Sequence, residues 1–519
     1  MTSRQIGALA LIAFALVAIS GIVLRPLIPI DETRYVSVAW EMRVSGDWLV
    51  PHKNGAIYTD KPPLLFWLIN LVWSVTGVSE WAARTVGPAF GLAAIAGTWA
   101  LGRRLWDDRT GARAAAVLSG FTVFALYGGA TMFDMLLSLA VILGAGALWS
   151  ALVQGGGRRS WAVFGLALAL GVYAKGPVIL VHLMPLVLLS PLWVPALRRP
   201  PLGQTLRGVG LALAVALAIV GIWVVPAAIL GGPEYREMIL WKQSSGRMVS
   251  SFAHARPWYW LAATLPLLLF PWVWSPALWR GLRRVDRTDP ALRLCGLWAL
   301  SGLVMFSLIS GKQVHYLMPE LVAVALIFAR ALGPSAEEPA APLAGIGVPA
   351  LLALFGGAAA IAAALGLAGG ADAALLRPAV SVVAACVVLL LITVVALRLP
   401  LTLGMALLGL GVVLVLNLGI GLTGLRQAYD ARIVASQIAG HEAQGIAVVN
   451  VRYSAEFNFP ARLTAPVAEL SADALPGWLS LHPQGLVLAA CGAGVLPPPA
   501  TREITFNGKS WCLWEGPRP

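Results

Sequence analysis

The sequence predicts a mainly α-helical, polytopic membrane protein with about thirteen transmembrane helices, juxtamembrane helices in the first outer loop, and a small C-terminal α/β domain. Of its 519 residues, 59% are hydrophobic and only 12% are charged. The mean hydropathy of +0.80 lies well above that of soluble domains. Apolar runs of about 20 residues, the length that crosses a bilayer, recur along the chain. We therefore expect a transmembrane domain over residues 1–425 and a soluble domain over residues 426–519.

The arginine-rich loops orient the predicted spans. These loops lie at 103–113, 158–159, 198–207 and 280–293, and the positive-inside rule places all four in the cytoplasm. This holds only if the apolar segment from Leu64 to Thr76 lies along the membrane surface instead of crossing. The first run, from Ile6 to Leu24, has no clear cleavage site and is interpreted as a retained span. The C-terminal tail then lies outside, and the predicted spans are 6–24, 82–102, 113–130, 134–153, 160–174, 176–196, 208–230, 258–279, 293–309, 315–332, 344–368, 377–397 and 400–422.

Charge and motifs exclude several function classes. The net charge of +13 comes from 37 basic and 24 acidic residues, and arginines in short inner loops explain most of it. The sequence has no recognition helix, zinc finger or RNA-binding signature, so we expect no nucleic-acid partner. It has no GxGxxG after a strand and no P-loop, so we expect no nucleotide cofactor. Asp107 and Asp108 lie in an inner arginine-rich loop and are interpreted as solvated anchors.

The first outer loop, within residues 25–81, concentrates the polar residues. Asp31 and Glu32 follow the first span within a few residues, where partial desolvation and nearby cations tune carboxylate chemistry. Asp60 and Lys61 precede two prolines, which hold the backbone extended. One interpretation is a catalytic loop, and the alternative is that these charges only anchor helix ends at the interface.

Polar residues from later loops are expected on the same outer face. Lysine and arginine neutralise phosphate oxygens, and a carboxylate opposite them takes a proton from an attacking group or orients it. Because Arg34, Lys61, Arg247 and Lys312 would lie at the bilayer surface, the phosphate that they meet would belong to a lipid. The other residues that converge are Asp134, Lys175, Lys242, His254, Arg256, His315 and Tyr316.

The tail has the pattern of a small α/β domain. We predict helices at 425–440 and 471–481, strands at 445–453 and 485–490, and a strand pair over 502–516 that turns at Asn507-Gly508. Outside the cytoplasm, Cys491 and Cys512 would form a disulfide, and two separate buried thiols are the alternative.

Several motifs together resemble one known family. These are DETRY at 31–35, SGDW at 45–48, YTDKPPLLFW at 58–67, MFDM at 132–135, YAKGP at 173–177, SSFAHARPWYW ending at Trp260, and SGKQVHYLMPE at 310–320. In this order they resemble the aminoarabinose-transferase branch of the type C glycosyltransferases, which is related to protein O-mannosyltransferases. The resemblance covers residues 30 to 320.

The resemblance implies an inverting, metal-independent sugar transfer from a polyprenyl-phosphate donor at the outer face of the bacterial inner membrane. Asp31 would be the main catalytic carboxylate, and Glu32 and Asp134 would be further catalytic candidates. Arg34, Lys61 and Tyr316 would hold the donor phosphate, together with Arg247 and Lys312. The residues expected to line the substrate pocket are Tyr58, Lys175 and His315.

Whether a metal ion binds near the predicted site depends on Asp60. The family commonly has glutamate at this position, and that acid joins a histidine around zinc; the corresponding pair here would be Asp60 and His254. A shorter side chain and only two protein ligands favour a hydrogen-bonding role, so no cofactor is expected to be required. Glu320 is a functional candidate because it is ionisable within a span. The remaining histidines, His52, His182, His441 and His482, are interpreted as loop or satisfied helix residues.

Three functions remain in competition. The first is a transferase, acting as a monomer, that delivers sugar to lipid A, lipopolysaccharide core or another envelope glycan in the periplasm. The second is a protein O-glycosyltransferase. The third is a transporter or lipid flippase, which the absence of a clear internal repeat disfavours.

Overall fold

A computed structural model describes residues 1–239, 255–333, 345–367, 371–492 and 502–515 of the chain. Helices dominate the transmembrane region. They are α1 Ser3–Leu24, α2 Asp31–Ser45, α3 Leu64–Thr76, α4 Glu80–Leu105, α5 Asp108–Gly120, α6 Thr122–Gly128, α7 Asp134–Leu152, α8 Gly157–Lys175, α9 Val178–Leu188, α10 Ser190–Trp193, α11 Leu202–Leu230, α12 Gly232–Glu237, α13 Trp260–Leu268, α14 Pro276–Leu282, α15 Pro290–Leu308, α16 Met318–Leu332, α17 Gly347–Ala364, α18 Ala379–Ala396 and α19 Leu401–Gly421.

Nine helices in the described part of the chain are long and apolar enough to cross a membrane. They are α1, α4, α7, α11, α15, α16 with its preceding turn, α17, α18 and α19. A tenth crossing is formed if α5 and α6, which meet at a bend of 76°, make one broken span. The polytopic, mainly helical class is confirmed, but the exact count of thirteen is not.

The other three predicted spans differ from single apolar helices. The span predicted at 160–174 is α8, whose 19 residues include Arg158, Arg159 and Lys175. The span predicted at 176–196 divides into α9 and α10, and the one predicted at 258–279 divides into α13, a 3₁₀ turn and α14. Pro191 is the second residue of α10 and Pro276 is the first residue of α14. Because proline has no N–H, it cannot continue the hydrogen-bond pattern of the preceding helix.

Helix α5 lies at the centre of the bundle, where it packs against α1, α4, α16 and α19. Every residue from Thr110 to Gly120 is buried. Small side chains permit this close approach. A Cβ atom at Gly111 would lie 2.4 Å from the carbonyl oxygen of Trp99. The sequence GARAAAVLSG therefore forms a central helix with neighbours on all sides.

The first outer loop folds as two helices joined by a short hairpin. Helix α2 leads to strands β1 His52–Lys53 and β2 Ala56–Ile57, which pair antiparallel. The turn between them uses Asn54 and Gly55 at φ of 54° and 79°, the conformation that this dipeptide favours. Helix α3 follows, as predicted for residues 64–76.

The tail contains a five-stranded sheet with order β4-β3-β5-β7-β6. Its strands are β3 Ile446–Val449, β4 Ala468–Leu470, β5 Leu486–Ala490, β6 Arg502–Phe506 and β7 Lys509–Glu515. Strand β3 runs parallel to β4 and β5, whereas β7 runs antiparallel to β5 and β6. The predicted turn at Asn507-Gly508 is confirmed, with φ of 51° and 70°. A disulfide joins Cys491 to Cys512, which settles the alternative left open by the sequence.

Four short helices, α20 Gly424–Tyr429, α21 Ala431–Ile438, α22 Asn458–Ala461 and α23 Leu475–Leu481, complete the tail. The predicted continuous helix at 425–440 is wrong because Asp430 interrupts it. The Asp430 carboxylate accepts a hydrogen bond from the backbone N–H of Arg432 and caps α21. Strand β4 and helix α22 were not predicted.

The tail is docked on the first outer loop. The side chain of Asn54 both donates to and accepts from the backbone of Val467, at 2.8 Å in each case. The indole N–H of Trp40 donates to the carbonyl oxygen of Leu463 at 2.8 Å. The ring of Phe459 stacks on Trp73 with centroids 5.4 Å apart. These contacts fix α2 and α3 against the tail.

Candidate functional site

Asp31 begins α2 and meets two partners on the same helix. Its Oδ1 atom accepts hydrogen bonds from the guanidinium of Arg34 and, at 3.2 Å, from the hydroxyl of Tyr35. Residues three and four apart share one helix face, so the DETRY sequence brings these groups together locally. The Asp31 side chain remains 40% exposed. It can therefore meet a substrate while its orientation is held from one side.

The electrostatic environment keeps both partners of Asp31 protonated. Burial lowers the pKa of the Arg34 guanidinium, but Tyr58, Tyr35 and Asp31 outweigh this effect and hold its pKa above the ordinary value. Burial, with the nearby Asp31 carboxylate and Tyr58, raises the pKa of Tyr35 well above that of a free phenol. Arg34 is therefore a permanent cation, and Tyr35 is a permanent hydrogen-bond donor to Asp31.

The ring of Phe133 joins the first outer loop to α7. Tyr35 approaches it edge-on at 4.9 Å, and Phe66 does the same at 5.5 Å. The ammonium of Lys61 lies 5.9 Å from its centroid, within the range of a cation–π contact. Asp31 and Lys61 are therefore linked through two neighbours, Tyr35 and Phe133.

Asp134 follows Phe133 and forms a buried ion pair. The Lys175 ammonium donates to its Oδ1 atom at 2.6 Å. The side chain of Lys175 is 11% exposed, and that of Asp134 is 2% exposed. Asp134 is the first residue of α7 and Lys175 the last of α8, positions at which each helix dipole favours that charge. The same ammonium lies 4.7 Å from the ring centroid of Tyr316. We call Asp31, Arg34, Lys61, Asp134 and Lys175 the Phe133 cluster.

Aromatic side chains surround this cluster. His315 is buried and packs its ring against Tyr127 at 5.3 Å and Tyr316 at 4.9 Å. Tyr58 is also buried, with its ring 6.3 Å from that of Phe66. The predicted pocket residues Tyr58, Lys175 and His315 thus lie around the same centre, although their roles stay predictions.

Glu32 and Lys312 are held by the protein backbone. Glu32 is only 3% exposed, and its two oxygens accept from the backbone N–H groups of Thr131 at 2.7 Å and Ile28 at 3.0 Å. Lys312 is equally buried, and its ammonium donates to the carbonyl oxygens of Arg256, Ile309 and Ser310. Glu32 thus joins the start of α2 to the segment before α7. Lys312 joins the residues after α15 to Arg256.

The predicted metal pair has no supporting ligand set among the residues that the structure describes. Within those residues, no three His, Cys, Asp or Glu side chains are grouped so as to hold an ion. Asp60 lies in the described first loop, whereas His254, like the phosphate candidate Arg247 and the neighbouring Lys242, lies outside the described residues. The pairing of Asp60 with His254 therefore stays a prediction.

Sequence reasoning missed the central position of Phe133 and the hydrogen bond that the Tyr35 hydroxyl donates to Asp31. The signal available was local: Tyr35 is four residues after Asp31, and Phe133 immediately precedes Asp134. It interpreted His182 as a loop or satisfied helix residue but did not name a partner, and the Nδ1 atom of this histidine lies 2.5 Å from the carboxylate of Glu320. Both side chains are almost fully buried. This pair ties α9 to α16 inside the bundle.

The profile of the family described as dolichyl-phosphate-mannose-protein mannosyltransferase matches residues 60–224. This range contains Lys61, Asp134 and Lys175 of the Phe133 cluster, and Asp31 and Arg34 precede it.

Two named relatives give a more specific similarity. The chain is 33% identical over 343 residues to the undecaprenyl phosphate-alpha-4-amino-4-deoxy-L-arabinose arabinosyl transferase of Pseudomonas paraeruginosa, with 64% of this chain and 60% of the relative aligned. It is 32% identical to the enzyme of the same name from Pseudomonas aeruginosa, with the same coverage. The aligned part thus spans about 60% of the length of these relatives.

The fold itself matches a solved structure. The crystal structure of ArnT from Cupriavidus metallidurans bound to undecaprenyl phosphate superposes with a TM-score of 0.79, covering 98% of this chain and 97% of that one at 20% identity. The apo structure of the same protein gives the same values. The resemblance predicted from the motifs is therefore confirmed: the chain has an ArnT-like fold and is similar in sequence to the aminoarabinose transferases.

Proposed function

We propose that this chain is a glycosyltransferase that moves a sugar from a polyprenyl-phosphate carrier to lipid A, lipopolysaccharide core or another envelope glycan. The observation that carries this proposal is the Phe133 cluster, in which three cations and two carboxylates from separate parts of the chain meet. Such a site binds a phosphate and activates a nucleophile at the same place. The sequence similarity to arabinosyl transferases supports this reaction class.

In the proposed reaction, Arg34 and Lys61 bind the carrier phosphate. The acceptor oxygen attacks the anomeric carbon of the sugar as the bond from that carbon to the phosphate oxygen breaks, with inversion. Negative charge then develops on the leaving phosphate, and fixed cations stabilise it. Asp31, partly exposed and held by Tyr35, orients the acceptor and takes its proton where it carries one.

Asp134 and Lys175 are proposed to position the donor. Their buried pair fixes the ends of α7 and α8, and Lys175 in turn lies against the ring of Tyr316. Tyr316 would add a hydroxyl to the phosphate site, and Tyr58 and His315 would line the sugar pocket. A pocket with these aromatic walls excludes water from the leaving group, which limits hydrolysis of the donor.

We also propose the membrane placement. The protein would lie in the bacterial inner membrane with the Phe133 cluster facing the periplasm and the arginine-rich loops in the cytoplasm. Thirteen crossings result if α8, the α9–α10 pair and the α13–α14 pair each cross, together with the bent pair α5–α6. An odd number places the tail on the same side as the cluster, where a disulfide persists.

The tail, residues 426–519, would act as a brace for the transmembrane domain, residues 1–425. Its α22 segment contacts both helices of the first outer loop: Phe459 stacks on Trp73, and its backbone N–H donates to Ser37 of α2 at 3.1 Å. Because α2 begins at Asp31, a brace on α2 limits movement of the proposed catalytic carboxylate.

The test is mass spectrometry of lipid A, core oligosaccharide and membrane proteins from cells with and without this chain. The proposal expects a pentose or hexose mass on lipid A or another envelope glycan only in cells that carry the chain. Cells that carry Asp31→Asn should match those without it. Identical glycans in all three strains would contradict the proposal.

A protein O-glycosyltransferase is the second candidate, because residues 60–224 match the protein mannosyltransferase family. The same experiment separates the two acceptors. Sugar on serine or threonine of membrane proteins, with unmodified lipid A and core, would select this second function.

A further inference from the structure

A groove of about 650 Å³ lies between α13 and α14, away from the Phe133 cluster. Its walls include Trp274 and Trp279, which are 41% and 50% exposed. The indole N–H of Trp274 donates to the carbonyl oxygen of Pro266 at 3.2 Å, and that of Trp279 donates to Val273 at 2.7 Å. Because both polar atoms are satisfied within the protein, the walls offer aromatic and aliphatic surface to an occupant.

One rim of this groove is positively charged. Arg280 and Arg283 line it and are exposed. The surrounding segment 280–293 contains five arginines against two aspartates. The groove therefore combines an apolar wall with a rim that belongs to an arginine-rich segment.

The groove is at the opposite end of α16 from the candidate site. Gly281 of α14 packs so closely on α16 that a Cβ atom there would lie 2.3 Å from the carbonyl oxygen of Ala331. Helix α16 begins at Met318, two residues after Tyr316. At 1.5 Å per residue, the distance from Met318 to Ala331 is about 20 Å, most of the thickness of a hydrocarbon core.

We propose that this groove binds an anionic phospholipid of the membrane leaflet opposite the Phe133 cluster. Its acyl chains would pack on Trp274 and Trp279, and its phosphate would meet Arg280 and Arg283. The volume suits part of a lipid molecule, and basic pockets beside transmembrane helices favour acidic headgroups. A zwitterionic lipid would fit the walls but would gain less from the rim.

The test uses the full-length protein in nanodiscs of phosphatidylcholine that contain a trace of photoactivatable phosphatidylglycerol or photoactivatable phosphatidylcholine. Cross-linked peptides are then mapped by mass spectrometry. The proposal expects the phosphatidylglycerol probe to label residues 266–283 several-fold more than the phosphatidylcholine probe. In Arg280→Gln/Arg283→Gln, labelling by phosphatidylglycerol should fall to the phosphatidylcholine level.

The matched control is Arg158→Gln/Arg159→Gln, which removes another exposed arginine pair and should label like the wild type. Equal labelling by both lipids, or undiminished labelling of Arg280→Gln/Arg283→Gln, would overturn the proposal. So would preferential labelling of this segment by a photoactivatable polyprenyl phosphate, because the groove would then belong to the sugar carrier. None of these outcomes depends on transferase activity, so the lipid site and the proposed function can fail separately.

Discussion

Replacing Lys175 with methionine should destabilise the protein by leaving Asp134 buried without its cation. The two charges are 2.6 Å apart, which corresponds to an attraction of roughly 6 kcal/mol at an effective dielectric constant of about 20. The cost of removing both charges from water offsets much of this. Breaking one side of a buried pair nevertheless costs about 3–5 kcal/mol, because the remaining charge stays desolvated.

The double variant Asp134→Asn/Lys175→Met separates the charge effect from packing. It removes both charges while keeping similar volume, so we expect it to recover most of the lost free energy of unfolding. Transfer activity should stay low in the single and double variants, since the proposed donor site needs Lys175 beside Tyr316. The assay is thermal unfolding of the purified protein in detergent, with turnover measured on the same samples.

Lys509→Met is the matched control, because Lys509 is exposed in the tail and its loss should change neither quantity. The reasoning is refuted if Lys175→Met unfolds at the wild-type temperature. It is also refuted if the double variant is as unstable as Lys175→Met alone, because the loss would then come from packing.

Three further predictions follow from contacts around the first outer loop and the tail. Glu32→Gln should lower the free energy of unfolding by about 1.5–3 kcal/mol, since an amide oxygen cannot accept as strongly from the N–H groups of Thr131 and Ile28; an unchanged melting temperature would contradict this. Phe459→Ala should weaken docking of the tail by about 3–5 kcal/mol, seen as faster proteolytic release of the tail than in the wild type. The double variant Cys491→Ser/Cys512→Ser removes a disulfide between residues 21 positions apart and should lower the free energy of unfolding by about 3 kcal/mol. Urea unfolding measures this loss, and equal midpoints would show that the disulfide contributes nothing.

The roles of neighbouring carboxylates illustrate what the sequence alone could and could not predict. Asp31 and Glu32 are adjacent, and both were predicted as catalytic. Successive residues on a helix point about 100° apart, so only one of them can face the cluster. Asp31 does so, whereas Glu32 turns toward Thr131. Which of the two carboxylates faces the cluster depends on the position of α7, and the sequence around residues 31 and 32 does not indicate that position.

Predictions were confirmed where they depended on the preferences of a few neighbouring residues or on the hydropathy of one segment. The turn at Asn507-Gly508 followed from the backbone preferences of this dipeptide, and it joins two paired strands as predicted. Hydropathy found the long apolar helices and also located α8, which was predicted at 160–174. It did not find the interruptions within the spans predicted at 176–196 and 258–279, because a break between two apolar helices leaves the hydropathy of the segment unchanged.

Long-range polar contacts were the least predictable features. Lys312 was expected at a lipid phosphate because it would lie at the bilayer surface, and in the structure its ammonium donates to the backbone carbonyls of Arg256, Ile309 and Ser310. Likewise, His182 and Glu320 are 138 residues apart in sequence and pair within the bundle. Each contact follows from helix packing, which sets the partner that a buried polar group must find.

The most direct test of the Phe133 cluster as a transfer site is the turnover of purified Asp31→Asn in proteoliposomes supplied with a polyprenyl-phosphate-linked sugar and lipid A. Loss of a proton acceptor that also orients the nucleophile should reduce turnover about 100-fold or more. Since Asp31 is partly exposed and its partners are on its own helix, the melting temperature should stay close to that of the wild type. Turnover equal to the wild type in a folded Asp31→Asn protein would contradict the assignment.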